Sequence, residues 1–335
     1  MDDLRNLGEA ASPEKGKKQF VEGLDPGDTV DDIFFLREVG LRPARNGSKY
    51  LALGLGDRSG VVDGRAWGKD GLRLAGRLRE GSCARVRGLA VSYKGRLQVN
   101  VRQAELVDED AVDPADFVPS SFRDREELAG FLQYFITEVY DPDYRRLLES
   151  FFADPGFMDR FCQAPGDART HHAYLGGLLE HTVSVATLCQ HVTVQHPRVN
   201  ADLLMAAALL HDIGKIDEYE CRGAITCSRE GRMIGHVLLG QRLIEDRLRE
   251  LDGFPREKEL QLVHAVISHH GELEWGAPKR PQSVEALVLH HIDNLDAKVK
   301  GFLEVVEGRG EVSWSEMQNL FRRPLDSPMA ADRRS

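Results

Sequence analysis

The sequence predicts two domains of different class, a small all-β barrel followed by a larger all-α domain. Three observations predict it. Apolar residues alternate by two from Thr29 to Leu106, and step by three and four after Pro119-Ser120-Ser121. Charge divides at the same place: 15 Lys/Arg stand against 8 Asp/Glu between Thr29 and Val107, a balance of +7 in a chain of net charge −10, which leaves −17 elsewhere. At 335 residues the chain is long enough for two cores, since one core rarely outgrows about 250–300 residues.

Residues 1–27 are charged and carry Pro13, Gly16 and Gly23-Leu24-Asp25-Pro26-Gly27, which reads as a flexible lead-in. Strands are expected over Thr29–Val39, Tyr50–Leu55, Gly60–Trp67, Ala84–Val91 and Arg96–Leu106, with turns at Asp57–Gly60 and Tyr93-Lys94-Gly95. A helix-like stretch, about 69–79, follows the third strand. Five strands with that insertion are the layout of an OB-fold barrel, here over 28–112. Residues 113–123, with Pro114 and Pro119, read as a linker. Helices are then expected near 124–139, 143–162, 177–196, 200–212, 233–250, 256–269 and 283–303, making one helical domain over 124–325. Tyr219–Met233 reads as a hairpin or ordered loop, and 326–335 as a frayed tail.

Composition excludes several function classes. A net charge of −10 argues against coating nucleic acid by bulk electrostatics, although the +7 front module suits local strand binding. Cys83, Cys162, Cys189, Cys221 and Cys227 are odd in number and no pair has C-x-x-C spacing, so neither a disulfide framework nor a cysteine zinc site is expected. No apolar run approaches the ~18–20 residues of a membrane span, and residues 1–18 have no apolar signal core. A cytoplasmic protein is expected.

The histidines concentrate between His171 and His291, and their order carries the chemistry. His181 lies early in the helix that begins near Gly177. His211-Asp212 end an apolar helix in Leu209-Leu210-His211-Asp212-Ile213-Gly214-Lys215. His236 follows Gly235, His269-His270 close a helix before Gly271, and Asp293 lies in His291-Ile292-Asp293-Asn294. Imidazole and carboxylate suit a borderline or hard divalent ion. An adjacent His-Asp pair can put nitrogen and oxygen on one ion and leave the carboxylate free to bridge to a second. Burying so many ionisable groups without a metal would be costly.

That order, and the Leu-His-Asp-Ile-Gly-Lys motif, resemble the HD superfamily of metal-dependent phosphohydrolases. The wider sequence, His172-Ala173-Tyr174-Leu175-Gly176-Gly177-Leu178-Leu179-Glu180-His181-Thr182, Gly235-His236, Ile267-Ser268-His269-His270-Gly271-Glu272 and Asp293-Asn294-Leu295-Asp296-Ala297-Lys298, resembles the YhaM-type 3′→5′ exoribonucleases, in which an OB-fold precedes the HD domain. The resemblance spans roughly 25–325. It implies His181, His211, Asp212 and Asp293 as ligands of a first metal, with Asp212 bridging, and His236 with one of His269 and His270 as ligands of a second. His269 is favoured, with His270 close to the phosphate or the ion. Asp212 and Lys215 would be the catalytic residues, Lys215 facing the scissile phosphate. Two divalent ions are implied, Mn²⁺ first, with Mg²⁺, Co²⁺, Fe²⁺ or Zn²⁺ as alternatives.

Other residues keep two readings. His172 and His171 are either substrate contacts or loop residues. Glu180 either supports His181 or is a first-turn helix carboxylate, and Asp296 either supports the site or lies on the helix surface. Glu272, Trp275, Lys279 and Arg280 lie in a Gly/Pro-rich loop that can border the substrate path.

In the barrel, Arg37, Arg45, Lys49, Arg65, Arg85, Arg87, Lys94, Arg96 and Arg102 supply charge, and Phe35, Tyr50, Trp67 and Tyr93 are candidate stacking platforms for single-stranded RNA or DNA. Tyr93, Lys94, Arg96 and Trp67 are expected to contact substrate. Phe34 and Phe35 point to opposite faces, so one of them is core. Three functions compete: a single-strand exonuclease releasing nucleoside 5′-monophosphates, an HD-type nucleotide phosphohydrolase with a regulatory OB-fold, and a non-catalytic adaptor. The complete ligand set counts against the third and the basic front module against the second. Assembly into a homo-oligomer is left open.

Overall fold

The computed structural model describes residues 16–44, 47–108, 111–168 and 172–307. Expectations that fall on 1–15, Arg45, His171 and the 326–335 tail lie outside these residues. The chain divides into two compact units, one up to Val118 and the other from Pro119 onward, the hairpin residues Arg222–Ala224 excepted.

In the first unit β1 (Thr29–Pro43), β2 (Lys49–Asp57), β3 (Gly60–Trp67), β4 (Cys83–Tyr93) and β5 (Arg96–Leu106) close into a barrel in the order β1-β2-β3-β5-β4. The one parallel pair is β3 with β5, in register from Asp63↔Gln98 to Arg65↔Asn100. Helix α1 (Gly68–Ala75) separates β3 from β4, so the unit is an OB-fold. The β4–β5 hairpin turns on Lys94 (φ 53°) and Gly95 (φ 77°), the two left-handed residues that a tight hairpin matching strand twist requires. Val30, Phe34, Leu36, Leu51, Leu55 and Val99 fill the barrel.

Three expectations are corrected here. Phe34 and Phe35 are both buried: Phe34 inside the barrel, Phe35 against Cys83 and Phe117 in a separate cluster. Phe35 is therefore not a stacking platform. The lead-in is structured from residue 16 on. Asp32 Oδ2 accepts the N–H groups of Lys18 (2.7 Å) and Gln19 (2.6 Å), and Asp57 Oδ2 accepts that of Val21 (2.8 Å). The Lys17 ammonium donates to the Ile33 carbonyl at 2.6 Å and lies 3.4 Å from the Phe34 ring centroid. Carboxylates on the barrel thus take up the strap's backbone donors, a pairing no periodicity announces. The start of the expected linker is also fastened: Asp113 caps a short turn at Pro114–Asp116, and Phe117 and Val118 are buried.

The second unit is helical: α2 (Arg125–Thr137), α3 (Pro142–Phe152), α4 (Pro155–Gln163), α5 (Gly177–Gln195), α6 (Ala201–Leu210), α7 (Lys215–Glu218), α8 (Arg229–Ile234), α9 (His236–Glu250), α10 (Arg256–Ile267) and α11 (Val284–Glu307). The hairpin β6 (Tyr219–Cys221) and β7 (Ile225–Cys227) interrupts them, as the sequence suggested. The single helix expected over 143–162 is two. Asp154 accepts the N–H groups of Gly156 and Phe157 and Pro155 follows it, a start signal that outweighs the continuing apolar steps. Asp124, Asp141, Asn200 and Ser228 cap α2, α3, α6 and α8 in the same way.

Helix α6 is buried from Leu203 through Leu210. A helix apolar on every side belongs at the centre of a bundle, and α6 packs against α5, α10, α11 and α3. That placement brings its C-terminal end, and the His-Asp pair on it, into the interior. Among the described residues no helix is long and apolar enough to cross a membrane.

Candidate metal centre and strand-binding surface

Each site residue stands at the end or first turn of a helix, or on α11. His181 is on the first turns of α5, His211-Asp212 follow α6, Lys215 opens α7, His236 opens α9, His269-His270 follow α10, and Asp293 lies on α11. Close backbone approach sets the spacing: a Cβ on Gly214 would lie 2.1 Å from the His236 carbonyl oxygen and 2.4 Å from the Gly240 nitrogen. Only glycine lets the residues after His211-Asp212 meet the start of α9.

The imidazoles converge through Nε2 because Nδ1 is engaged elsewhere. His211 Nδ1 donates to the Ala208 carbonyl (2.8 Å), His269 Nδ1 to Val266 (2.6 Å) and His270 Nδ1 to Trp275 (2.9 Å). The first two satisfy the open carbonyls of the helices they terminate. His236 Nδ1 meets Glu218 Oε2 at 2.8 Å, and His181 Nδ1 meets Asp296 Oδ2 at 2.7 Å. Such partners fix tautomer and ring direction in metal-binding histidines.

Two groups result. In the first, His181 Nε2 lies 3.2 Å from His211 Nε2, 3.1 Å from Asp293 Oδ1 and 3.4 Å from Asp212 Oδ2. In the second, His236 Nε2 lies 3.2 Å from His270 Nε2 and 3.4 Å from Asp212 Oδ1, and His269 Nε2 is 3.6 Å from that same oxygen. Asp212 thus offers one carboxylate oxygen to each group. Asp212 Oδ1 and His269 Nε2 are buried with no hydrogen-bond partner. An orphaned acceptor and an orphaned imidazole nitrogen facing each other ask for a cation between them. The donor set, imidazole nitrogen with carboxylate oxygen, is one that Mn²⁺, Fe²⁺, Co²⁺ or Zn²⁺ accepts. These residues fit divalent metal.

Electrostatics distinguish the donors. Burial pushes His269 well below the ordinary imidazole range and lowers His270, so both stay neutral and able to ligate. Burial opposes charge on His181, but the Asp293 and Asp296 carboxylates outweigh it and hold it up at about 9. Burial likewise raises Asp212 and Asp293, and is overcome by the Lys215 charge and the neighbouring His211 at Asp212 and by the His181 hydrogen bond at Asp293, so both stay ionised. Lys215 Nζ pairs with Asp212 Oδ2 at 2.6 Å. A cavity of about 250 Å³ opens beside the groups, lined by Asp212, Lys215, His236, His270, Trp275 and Asp293 among others.

All seven residues named as ligands from the sequence come together, and both His269 and His270 direct Nε2 inward. The substrate role of His172 is corrected. It is 2% exposed, with Nδ1 on the Tyr174 hydroxyl (2.9 Å) and Nε2 on Asp296 Oδ2 (3.1 Å), so it braces the carboxylate that orients His181. Asp296 faces the site, also accepting from the Ser184 hydroxyl. Glu180 turns away to Ser121 Oγ (2.5 Å) and Lys300 Nζ (3.0 Å). Glu272 pairs with Arg280. Glu218 was missed; its one sequence signal is a carboxylate three residues past Lys215, which nothing distinguishes from a solvated helix acid.

On the barrel, Tyr50 and Trp67 pair across β2 and β3 and stack at 4.8 Å. The Arg65 guanidinium lies over both Tyr50 (5.3 Å) and Tyr93 (5.5 Å), and Lys94 lies near Tyr93 (5.8 Å). Trp67 and Tyr93 are 45% and 48% exposed, and Arg96 is exposed opposite Tyr93. The row Trp67–Tyr50–Arg65–Tyr93–Lys94 mixes three aromatics with two cations, the composition that single-strand binding surfaces use. Arg85 and Arg87 do not join it, being paired with Asp31 at 2.7 and 3.1 Å.

Comparison with known proteins adds two domain matches. Residues 178–298 match the family model of the HD domain, and residues 35–107 match that of an OB-fold nucleic acid binding domain, the tRNA anti-codon family. Among solved structures, the chain is similar to the second OB-fold domain of replication protein A from Methanococcus maripaludis, at 19% identity over 27% of this chain and 94% of that one, with a TM-score of 0.22.

Proposed function

We propose that the chain is a metal-dependent 3′→5′ exoribonuclease that shortens single-stranded RNA and releases nucleoside 5′-monophosphates. An HD domain behind an OB-fold is the make-up of a metal-dependent hydrolase directed at nucleic acid. The observation that carries the metal-dependent hydrolysis is Asp212, whose two oxygens face separate imidazole groups beside an open cavity. RNA as substrate and the direction of cutting rest on the resemblance to the YhaM-type enzymes.

His181, His211, Asp212 and Asp293 would hold one ion, and His236, His269, His270 and Asp212 the other, Mn²⁺ being the first expectation. Bound together, two divalent ions supply Lewis acidity and lower the pKa of water towards neutrality. The protein's own groups do the rest. Lys215, on the cavity wall, brings positive charge to the oxygens of a phosphodiester as negative charge builds there. Its pairing with Asp212 fixes the ammonium in place before substrate arrives. Asp296, Glu218 and the three backbone carbonyls keep the rings from turning. In the reaction water contributes the new P–O bond, the P–O3′ bond breaks, and the 5′-phosphate leaves with the terminal nucleoside. The aromatic row on the barrel would hold the strand by stacking and charge.

A cavity of about 250 Å³ also suits a free nucleotide, and so favours the nucleotide phosphohydrolase as second reading. One experiment separates them. Single-stranded RNA labelled at its 5′ end is incubated with protein and Mn²⁺, beside free nucleotides assayed for phosphate release. A ladder shortening from the 3′ end with monophosphate product is expected. Phosphate release from nucleotides with intact RNA would replace the proposal with the second reading.

A further inference from the structure

The loop after α10 carries a side chain that neither the metal groups nor the barrel surface use. Trp275 ends a short turn at Leu273–Trp275, lines the cavity together with Asp212 and Lys215, and is 53% exposed. Single exposed apolar residues are ordinary on protein surfaces. The backbone that carries this one is fixed by hydrogen bonds. The Trp275 N–H donates to the Glu272 carbonyl (3.0 Å), as does that of Ala277 (3.2 Å), and Gly271 and Gly276 on either side take φ of 78° and 89°. The Trp275 carbonyl accepts the Nδ1 hydrogen of His270. The backbone that carries the indole is therefore bonded directly to one imidazole of the second group of metal donors. The Lys298 ammonium lies 5.6 Å from the indole centroid, on the same α11 that supplies Asp293.

An indole on a hydrogen-bonded mount, lining a cavity of about 250 Å³ and with a cation beside its ring, matches what a nucleobase needs when its own phosphate sits at the metal groups. Aromatic faces stack bases with little regard to sequence, which suits removal of any terminal nucleotide. We infer that Trp275 is the stacking platform for the base of the nucleotide whose phosphate enters the cavity, and that it sets which phosphate along a strand is presented. This deepens the phosphodiesterase reading and rests on it.

The test uses full-length Mn²⁺-loaded protein and two probes, adenosine 5′-monophosphate and ribose 5-phosphate, which differ by the base alone. Binding is followed by calorimetry, and by quenching of tryptophan emission. The parent is expected to bind the nucleotide about 10–100-fold more tightly than the sugar phosphate, the gain usual for one stacked base. Trp275→Ala should bind the nucleotide no better than the sugar phosphate and leave the latter unchanged. Trp275→Phe should keep most of the preference. Three results overturn the inference: a parent without preference for the base, a Trp275→Ala variant that keeps it, or a Trp275→Ala variant that loses both ligands, which would mark the residue as a support for His270. In each of those cases the parent still binds a phosphate ester and the phosphodiesterase reading survives. A parent that binds neither probe overturns both.

Discussion

Replacement of Asp212 by Asn tests the shared carboxylate directly. In the parent, stripped with chelator and titrated with Mn²⁺, two ions are expected to bind. Each, at a hundredfold excess over its Kd, adds about 2.7 kcal/mol to stability, or about 5 kcal/mol for the pair. For a helical unit of this size that is a rise in Tm of roughly 10–20 °C, at about 2–4 °C per kcal/mol. Asp212→Asn acts twice. It withdraws a charged oxygen from both groups, and it strands the buried Lys215 ammonium, whose partner lay at 2.6 Å. Breaking a buried pair on one side costs about 3–5 kcal/mol, so the metal-free variant should melt well below the parent. Adding Lys215→Met removes the stranded charge and should recover most of that loss. The double variant, folded but lacking the shared oxygen, should gain far less from Mn²⁺ than the parent. Helical circular dichroism follows the melt and calorimetry counts the ions. A double variant that binds two ions with the parent's affinities and the parent's Tm increment would show that the carboxylate joins nothing.

The groups that orient the rings give separable effects. Glu218→Gln should weaken Mn²⁺ binding about 10–100-fold at one site and Asp296→Asn at the other; calorimetric isotherms in which both variants weaken the same site would contradict the two-group assignment. Tyr93→Ala should cost single-stranded RNA binding about 1–3 kcal/mol, and Arg65→Ala should reduce the slope of log affinity against log salt by about 1. Fluorescence anisotropy reads both, and unchanged values remove the aromatic row from the binding surface. Asp141 caps α3 and meets Lys258 Nζ at 2.6 Å. Burial raises its carboxyl, but Lys258 and the Tyr144 and Asp143 N–H groups outweigh burial and hold it below the ordinary aspartate range. Its contribution is therefore full above the unfolded value near 4 and fades as pH falls through the folded one. Asp141→Ala should cost about 1–2 kcal/mol at neutral pH, and urea melts should show the gap to the parent closing in acid; a gap that persists at pH 2 would rule out the carboxylate as its source.

Much of this was legible because the chemistry sits in residue types that few other roles explain. Adjacent His-Asp at the end of an apolar helix, with further histidines beside glycines, marked candidate donors, and the resemblance to the HD superfamily assigned them to two ligand sets. Strand alternation marked the barrel because its interior is filled from one face of each strand. Helix breaks were less legible: the apolar steps of α3 and α4 run on through Asp154-Pro155, and only the capping chemistry divides them. What escaped is what depends on approach between distant segments. Nothing in the sequence distinguishes Glu218 from its neighbour Asp217, which pairs with Arg160, until α7 packs against α9. His172 has the composition of a contact residue, and only the fold turns its ring towards Asp296.

The strap over the barrel bears on how the front module can be isolated. Its natural beginning lies ahead of Lys17, not at the first strand. A fragment opening at Asp28 would discard the ammonium that sits on the Phe34 ring, strip the Asp32 and Asp57 carboxylates of the N–H groups they accept, and uncover the core that Val21 and Leu24 pack on. Such a piece would be prone to stick to its own kind, and an apparent loss of RNA affinity measured on it would report a damaged drum rather than a missing contact.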